Sequence, residues 1–327
     1  MKIAVVGCGA LGSYYGAKLW RDGQEVHFLL RSDYKTVRRH GVEIQSPEGN
    51  FNARPRCAQT PGEIGHVDLV IVGLKTTAND QFAKLLPPMV GPKTAILTLQ
   101  NGLGNEEQLA KIFPAEQILG GLCFVCLNRI APGVIKHIGQ GRITIGEFQR
   151  WPEPRTHDIA SAFRHAGIPC DVTDNLERAH WEKLVWNIPF NGLGVASSAG
   201  MAGVHAGTIS TEAPHGPCLT TDRLLDGAEW EKLVRDLMQE VISIARAKGM
   251  TIREQFIETL IERTRPMGAY KASTLVDFER GWSLELQSLF LEPLRQARET
   301  GIDTPHLSAL CSILISLSER QTSSRDS

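Results

Sequence analysis

The sequence predicts an α/β protein: an N-terminal doubly wound parallel sheet followed by an all-α C-terminal domain. Three observations predict it. An apolar run at the very start, Ile3–Val6, leads straight into a glycine-rich turn and a helical stretch. Apolar strand-like runs then alternate with helical ones to about residue 175, which is βαβ order. Beyond about Asp174 the 3.6-residue period takes over.

The elements follow in that order. Ala10–Asp22 is a helix and Glu25–Leu30 a second strand. Val67–Leu74 has the continuous apolar core of a parallel strand covered on both faces. Ala78–Leu86 reads as helix and Thr94–Leu99 as strand. From Gln117 to Glu147 the pattern is mostly strand, with turns expected at Pro132-Gly133 and Gly139–Gly141, hence an antiparallel extension. A helix over Asp158–Ala166 and a strand near Cys170–Val172 complete a Rossmann-type domain, 1–174. In the second domain, 175–327, helical periodicity marks Leu176–Leu193, Trp230–Lys248, Ile252–Thr264 and Trp282–Thr300. The stretch from about 199 to 220 is too rich in Gly, Ser, Pro and His for a tight connection and reads as an insertion, a candidate lid. The polar tail from Glu319 is expected to fray.

Composition sets outer limits. Basic and acidic residues nearly balance, 35 against 36, which argues against a nucleic-acid surface or a polybasic membrane surface. No run reaches the ~18 apolar residues that cross a bilayer. The N-terminal sequence enters a strand without the apolar core and cleavage site of a secretory signal. Seven cysteines at irregular spacings fit a reducing compartment, so a cytoplasmic location is expected.

The turn after the first strand is Gly7-Cys8-Gly9-Ala10-Leu11-Gly12. Glycine there permits a tight turn and close approach of backbone to a pyrophosphate, and the following helix offers unsatisfied N–H groups and a positive dipole end. A lone G-x-G-x-x-G is weak; its place at the start of a βαβ unit is what strengthens it. The end of the second strand selects the dinucleotide. An Asp or Glu there would accept bonds from a ribose 2′-OH. Here the residue is Arg31, a guanidinium suited to a 2′-phosphate, so NADPH/NADP+ is the expected cofactor. Asp33, two residues on, counts the other way. Lys75 and Asn101-Gly102 follow later strands at the ends where ligands bind, as contacts to cofactor or, for Asn101, substrate.

The segment Trp181–Asn191 places Lys183, Asn187 and Asn191 four residues apart, on one helix face among Trp181, Trp186 and Phe190. Spacing alone favours an amphipathic helix with a wet polar stripe. A lysine in such a pocket can stabilise or protonate a ketone oxygen as hydride arrives. Pro189 removes one N–H and should kink the helix.

Taken with Tyr270–Gly281 and Leu284-Glu285-Leu286, these motifs, in this order and over nearly the whole chain, resemble the ketopantoate reductase family (2-dehydropantoate 2-reductases). The resemblance implies two domains with the active site in the cleft between them, and reduction of a small 2-keto acid. It implies that Lys183 is the catalytic proton donor and Glu285 the carboxylate that positions it. It implies that Asn187 and Asn191 bind the substrate's hydroxyl end, that Ser273 holds its carboxylate, and that Arg31 anchors the 2′-phosphate. The chain departs from many members at Gln287, Phe290 and Leu291, where an Asp and an Asn-Gly are usual. A different 2- or 3-hydroxy acid or opine dehydrogenase, and a non-catalytic NADP(H)-binding regulator, stay open. Lys183 and Glu285 together weigh against the regulator. A monomer and a homodimer are both compatible.

No metal site is expected: His205 and His215 lack further ligands at suitable spacing. Cys123 and Cys126 have redox-motif spacing but sit in an apolar strand, which reads as packing. Trp230 and Trp282 read as packing residues, and His180 as a helix-start histidine that could tune the pocket.

Overall fold

The computed structural model describes residues 1–209 and 216–323. The chain divides into two compact units, Met1–Leu176 and Glu177–Ser327.

The first unit holds one ten-stranded sheet: β1 (Lys2–Val6), β2 (Glu25–Leu29), β3 (Val42–Gln45), β4 (Phe51–Ala53), β5 (Arg56–Ala58), β6 (Val67–Val72), β7 (Val90–Thr98), β8 (Ile118–Ala131), β9 (Val134–Glu147) and β10 (Cys170–Val172). Its helices are α1 (Ala10–Arg21), α2 (Tyr34–His40), α3 (Phe82–Leu85), α4 (Asn105–Ala110) and α5 (Pro154–His165). Six strands run parallel in the order β5-β2-β1-β6-β7-β8. That is the dinucleotide-fold order, with β1 beside the point where the winding reverses.

Strand alternation explains the uninterrupted apolar runs. Ile3, Val5, Leu69, Ile71, Leu97 and Leu99 join Tyr14 and Tyr15 of α1 and Phe163 of α5 on one face. Ala4, Val6, Val70, Val72 and Ile96 join Phe82, Leu86, Met89 and Leu109 on the other. Both sets must be apolar because helices cover both faces, and each large side chain so buried stabilises the sheet by about 1.5–3 kcal/mol.

Beyond the parallel core, β8 and β9 form a long antiparallel hairpin that turns at Pro132-Gly133, where Gly133 has φ 72°. The second expected turn is not one. Residues 139–141 lie inside β9, where the register against β8 shifts. Gln140 (φ 61°) and Gly141 (φ 134°) absorb the extra residue as a bulge. The β3–β4 hairpin, which the sequence pattern did not announce, adds to the edge of β9. The expected helix over Ala78–Leu86 splits into a 3₁₀ segment, Thr76–Gln81, and the short α3. Ala78 leaves the helical region (φ −114°, ψ 18°) next to Asn79, whose side chain is committed elsewhere.

Among its described residues the second unit holds helices joined by loops and no strand: α6 (Leu176–Ala196, its first residue in unit 1), α7 (Gly200–Ala206), α8 (Thr221–Leu225), α9 (Ala228–Ala247), α10 (Gln255–Thr264), α11 (Ser273–Glu279), α12 (Glu292–Thr300) and α13 (Pro305–Ser323). Helix α6 runs on through Pro189 to Ala196. Part of the supposed insertion, 200–206, is helix, not loop; residues 210–215, His215 among them, lie outside the described residues, so the lid reading does too. Glu319–Ser323, expected to fray, closes α13. The start of that helix is held by Glu240 of α9, whose carboxylate accepts from His306 N (2.9 Å) and Leu307 N (2.8 Å). Gln287–Leu291 forms a π turn ahead of α12. Pro293 explains it: its ring has no N–H and would strike the carbonyl four residues back, so the chain widens by one residue. Trp230 is half-buried, whereas Trp282 is 43% exposed, with the Arg280 guanidinium 4.9 Å from its ring centroid.

Candidate functional site

The three glycines of the first turn face three different surroundings. Gly7 has φ 96°, and a Cβ there would lie 2.3 Å from the backbone nitrogen of Leu74. A Cβ on Gly12 would lie 2.4 Å from the carbonyl oxygen of Gly7. Those two glycines let β1, β6 and α1 close on one another. Around the missing Cβ of Gly9 there is nothing within 4 Å. Gly9 is also the N-cap of α1, with no side-chain cap and no acidic residue in the first turn. An uncapped helix start with positive dipole and open space before it suits a pyrophosphate. The residues present therefore fit the phosphates of a dinucleotide. Cys8 plays a packing part: its thiol lies 3.4 Å from Val5 O and 3.6 Å from Leu29 O, and burial pushes its pKa up. Ala10 and Leu11 are half-buried against the α1-side core.

At the end of β2 the two charged candidates separate. Arg31 is exposed, and Asp33 is buried. Asp33 Oδ1 accepts from Arg129 Nη2 (2.6 Å) and Ser32 Oγ (3.0 Å), and Oδ2 from Arg129 Nε (3.0 Å) and Gly133 N (3.3 Å). Burial draws the Asp33 carboxyl upward, but the bonds and charge of Arg129 more than offset it and hold the group below its ordinary value. Nothing in the local sequence pointed to Arg129, which lies 96 residues away on β8.

Lys75 is exposed just past β6, and Asn101 is half-buried just past β7. A chain of buried amides supports the Asn101 turn. Asn105 Nδ2 donates to Asn101 O (3.1 Å), Asn79 Nδ2 to Asn105 Oδ1 (2.9 Å), Gln100 Nε2 to Asn79 Oδ1 (2.7 Å), and Thr98 Oγ1 to Gln100 Oε1 (2.9 Å). Such a fully paired ladder is rigid, because breaking any link strands a buried amide at about 1–3 kcal/mol. Sequence reasoning singled out Asn101 and missed Asn79 and Asn105; the neighbouring Thr98 and Gln100 were the only signal.

In the second unit, Lys183, Asn187 and Asn191 share one face of α6, Lys183 half-buried and both amides buried. Asn191 Oδ1 accepts from Thr274 N (3.0 Å) and Ser273 Oγ (3.1 Å), so it pins the start of α11 and brings Ser273 to the polar face. Behind this face Trp186 packs on Phe190 with ring centroids 4.9 Å apart and donates to Thr264 Oγ1 (2.8 Å). Glu285 is buried, two residues ahead of the π turn. The positions that depart from many relatives, Gln287, Phe290 and Leu291, are that turn. π turns recur at functional sites.

Cys123 and Cys126 are three apart on β8 and so point to opposite faces, which suits packing and not a redox pair. His180 is buried on α6, and His205 is exposed on α7. Among the described residues no group of three or more His, Cys, Asp or Glu could hold a metal ion, and no helix is long and apolar enough to cross a membrane.

A parallel sheet in this order, with an open glycine at its first helix, defines the class of dinucleotide-fold proteins. Comparison carries this further. Residues 3–150 match the family model "Ketopantoate reductase PanE/ApbA", and residues 218–318 match its C-terminal counterpart. A 2-dehydropantoate 2-reductase from a Nostoc species is 38% identical, the alignment covering 94% of this chain and 92% of that one. The crystal structure of 2-dehydropantoate 2-reductase from Geobacter metallireducens superposes with TM-score 0.88 at 43% identity, covering 98% of this chain and 99% of that one. D-mandelate dehydrogenase, solved with NADH and anilino(oxo)acetate, shares the fold with TM-score 0.85 at 20% identity and covers 98% of this chain and all of that one. The chain belongs to the ketopantoate reductase family, oxidoreductases that act on CH–OH groups and use NAD(P)H.

Proposed function

We propose that this protein reduces the ketone of a 2-keto acid with NADPH, and that the substrate is 2-dehydropantoate, giving pantoate. The observation that carries the cofactor half is the contrast within the glycine turn, where Gly7 and Gly12 are crowded by backbone and Gly9 faces open space. The identity to relatives named 2-dehydropantoate 2-reductase carries the substrate half.

The residues divide the work. The backbone N–H groups of Ala10, Leu11 and Gly12 open α1 and would hold the pyrophosphate. Arg31 pairs with the 2′-phosphate, and Lys75 and Asn101 bind from the neighbouring strand ends. When bound, the dinucleotide supplies the hydride. Lys183 Nζ faces the ketone oxygen, offsets the negative charge that grows there, and gives up the proton that completes the alcohol. Glu285 positions that ammonium and the substrate. Asn187 and the Nδ2 group of Asn191 bind the substrate hydroxyl. Ser273 Oγ holds the carboxylate, and to do so it exchanges its bond to Asn191 Oδ1, which Thr274 N keeps in place meanwhile.

The test is NADPH oxidation with 2-dehydropantoate beside other branched 2-keto acids, in wild-type protein and Lys183→Ala. Loss of the proton donor should lower kcat by about 10²–10⁴-fold with NADPH affinity unchanged. Undiminished turnover in that variant removes the role of Lys183. Dinucleotide binding with no turnover on any 2-keto acid would leave a binding protein in place of an enzyme.

A further inference from the structure

We propose that Arg129 is a positioning residue for cofactor selectivity: by pairing with Asp33 it cancels the one acidic side chain beside Arg31 and so makes the end of β2 a site for a 2′-phosphate. This deepens the NADPH reading above and rests on it.

The end of β2 carries two opposed signals, a guanidinium that suits a 2′-phosphate and, two residues later, a carboxylate of the kind that accepts a ribose 2′-OH. If both faced the ligand, the carboxylate would repel the phosphate and compete for Arg31. The structure separates them. Asp33 is the N-cap residue of α2, a position where Asp ordinarily accepts from an N–H of the first helical turn, yet it makes no such bond. Its carboxylate turns instead to the tip of the β8–β9 hairpin. There four donors, two from Arg129 and one each from Ser32 and Gly133, occupy both oxygens. A carboxylate so filled has little room to accept a ribose hydroxyl, and the bidentate guanidinium balances its charge. Arg31, by contrast, is exposed and makes no ion pair among the described residues. One arginine silences the acid and the other faces outward. Because Arg129 acts through Asp33, its effect should vanish when the acid is neutralised.

The experiment is calorimetric titration of NADP+ and of NAD+, at one fixed ionic strength, into wild type, Arg129→Ala, Asp33→Asn, the double variant and Arg31→Ala. Wild type should prefer NADP+. Arg129→Ala, which uncovers Asp33, should lower the NADP+/NAD+ affinity ratio by about tenfold or more, like charges at close range being costly. Asp33→Asn in the Arg129→Ala background should restore the ratio to within about threefold of wild type. A merely structural role for Arg129 would weaken both dinucleotides alike and would not be rescued. Arg129→Lys keeps the charge and loses the fork, so it should fall between the two and serves if the alanine variant folds poorly. A ratio that survives Arg129→Ala and Arg129→Lys, or a double variant as unselective as Arg129→Ala, overturns the proposal alone. Equal wild-type affinity for NADP+ and NAD+, with no effect of Arg31→Ala, overturns the Arg31 reading and this proposal with it.

Discussion

The glycine turn of the first unit and the polar face of the second are built in opposite ways. The turn is six consecutive residues shaped by backbone and by missing side chains. The polar face is made of side chains, Lys183, Asn187 and Asn191 of α6 with Ser273 of α11, and the bonds into Asn191 join the two helices there. A contiguous backbone site fails by steric strain, and a composite side-chain site fails by unmet hydrogen bonds. The two should therefore respond differently to the same kind of substitution.

The sharpest way to break that comparison is alanine at two glycines of one turn. Gly7→Ala forces a left-handed φ and a 2.3 Å contact with backbone, and should destabilise the first unit by about 3 kcal/mol or more, read by urea unfolding. Gly9→Ala meets no protein atom, so stability should stay within about 0.5 kcal/mol. Its NADP+ affinity should nevertheless fall by about tenfold or more, because the methyl occupies the space left for the pyrophosphate. Equal destabilisation by both would mean that the openness at Gly9 is not reserved for a ligand.

Asn191→Ala comes next. It strands Thr274 N in a buried place and frees the start of α11, at a cost of about 1–3 kcal/mol. It should also raise KM for the keto acid while leaving NADP+ titrations unchanged. Asn191→Asp, which keeps an acceptor for Thr274 N, should recover much of the stability but not the KM, since it removes the Nδ2 donor. A variant of normal KM would reduce Asn191 to a helix pin.

The smallest expected effect is one of pH. The folded-state value of Asp33 is depressed, so its contribution to stability is fully present above the ordinary aspartate value of about 3.9 and is lost as pH falls through the lower folded value. Acid unfolding curves of wild type and Asp33→Asn should therefore converge below about pH 4 and separate above it. Curves that stay parallel would show that Arg129 contributes nothing through charge.

Local signals were enough for some of this. The G-x-G-x-x-G turn, the apolar β6 and the period of α9 and α10 depend on near neighbours, and the structure has each of them. The bulge at Gln140 and the break at Ala78 were misread because a glycine pair and a helical period have more than one geometric outcome, settled by β8 in one case and by the Asn79 ladder in the other. The π turn ahead of α12 follows from Pro293, yet its place just past Glu285 does not.

By itself the sequence determined the βαβ alternation of the first unit, the glycine turn before α1 and the four-residue spacing of Lys183, Asn187 and Asn191, since all of these are short-range properties of backbone sterics and apolar period. Only the tertiary structure decided that Asp33 is answered by Arg129, that Asn105 and Asn79 brace Asn101, and that Asn191 holds Ser273. The reason is physical: a buried polar group takes whatever partner the packed chain brings within about 3 Å, and that partner can come from any distance along the sequence.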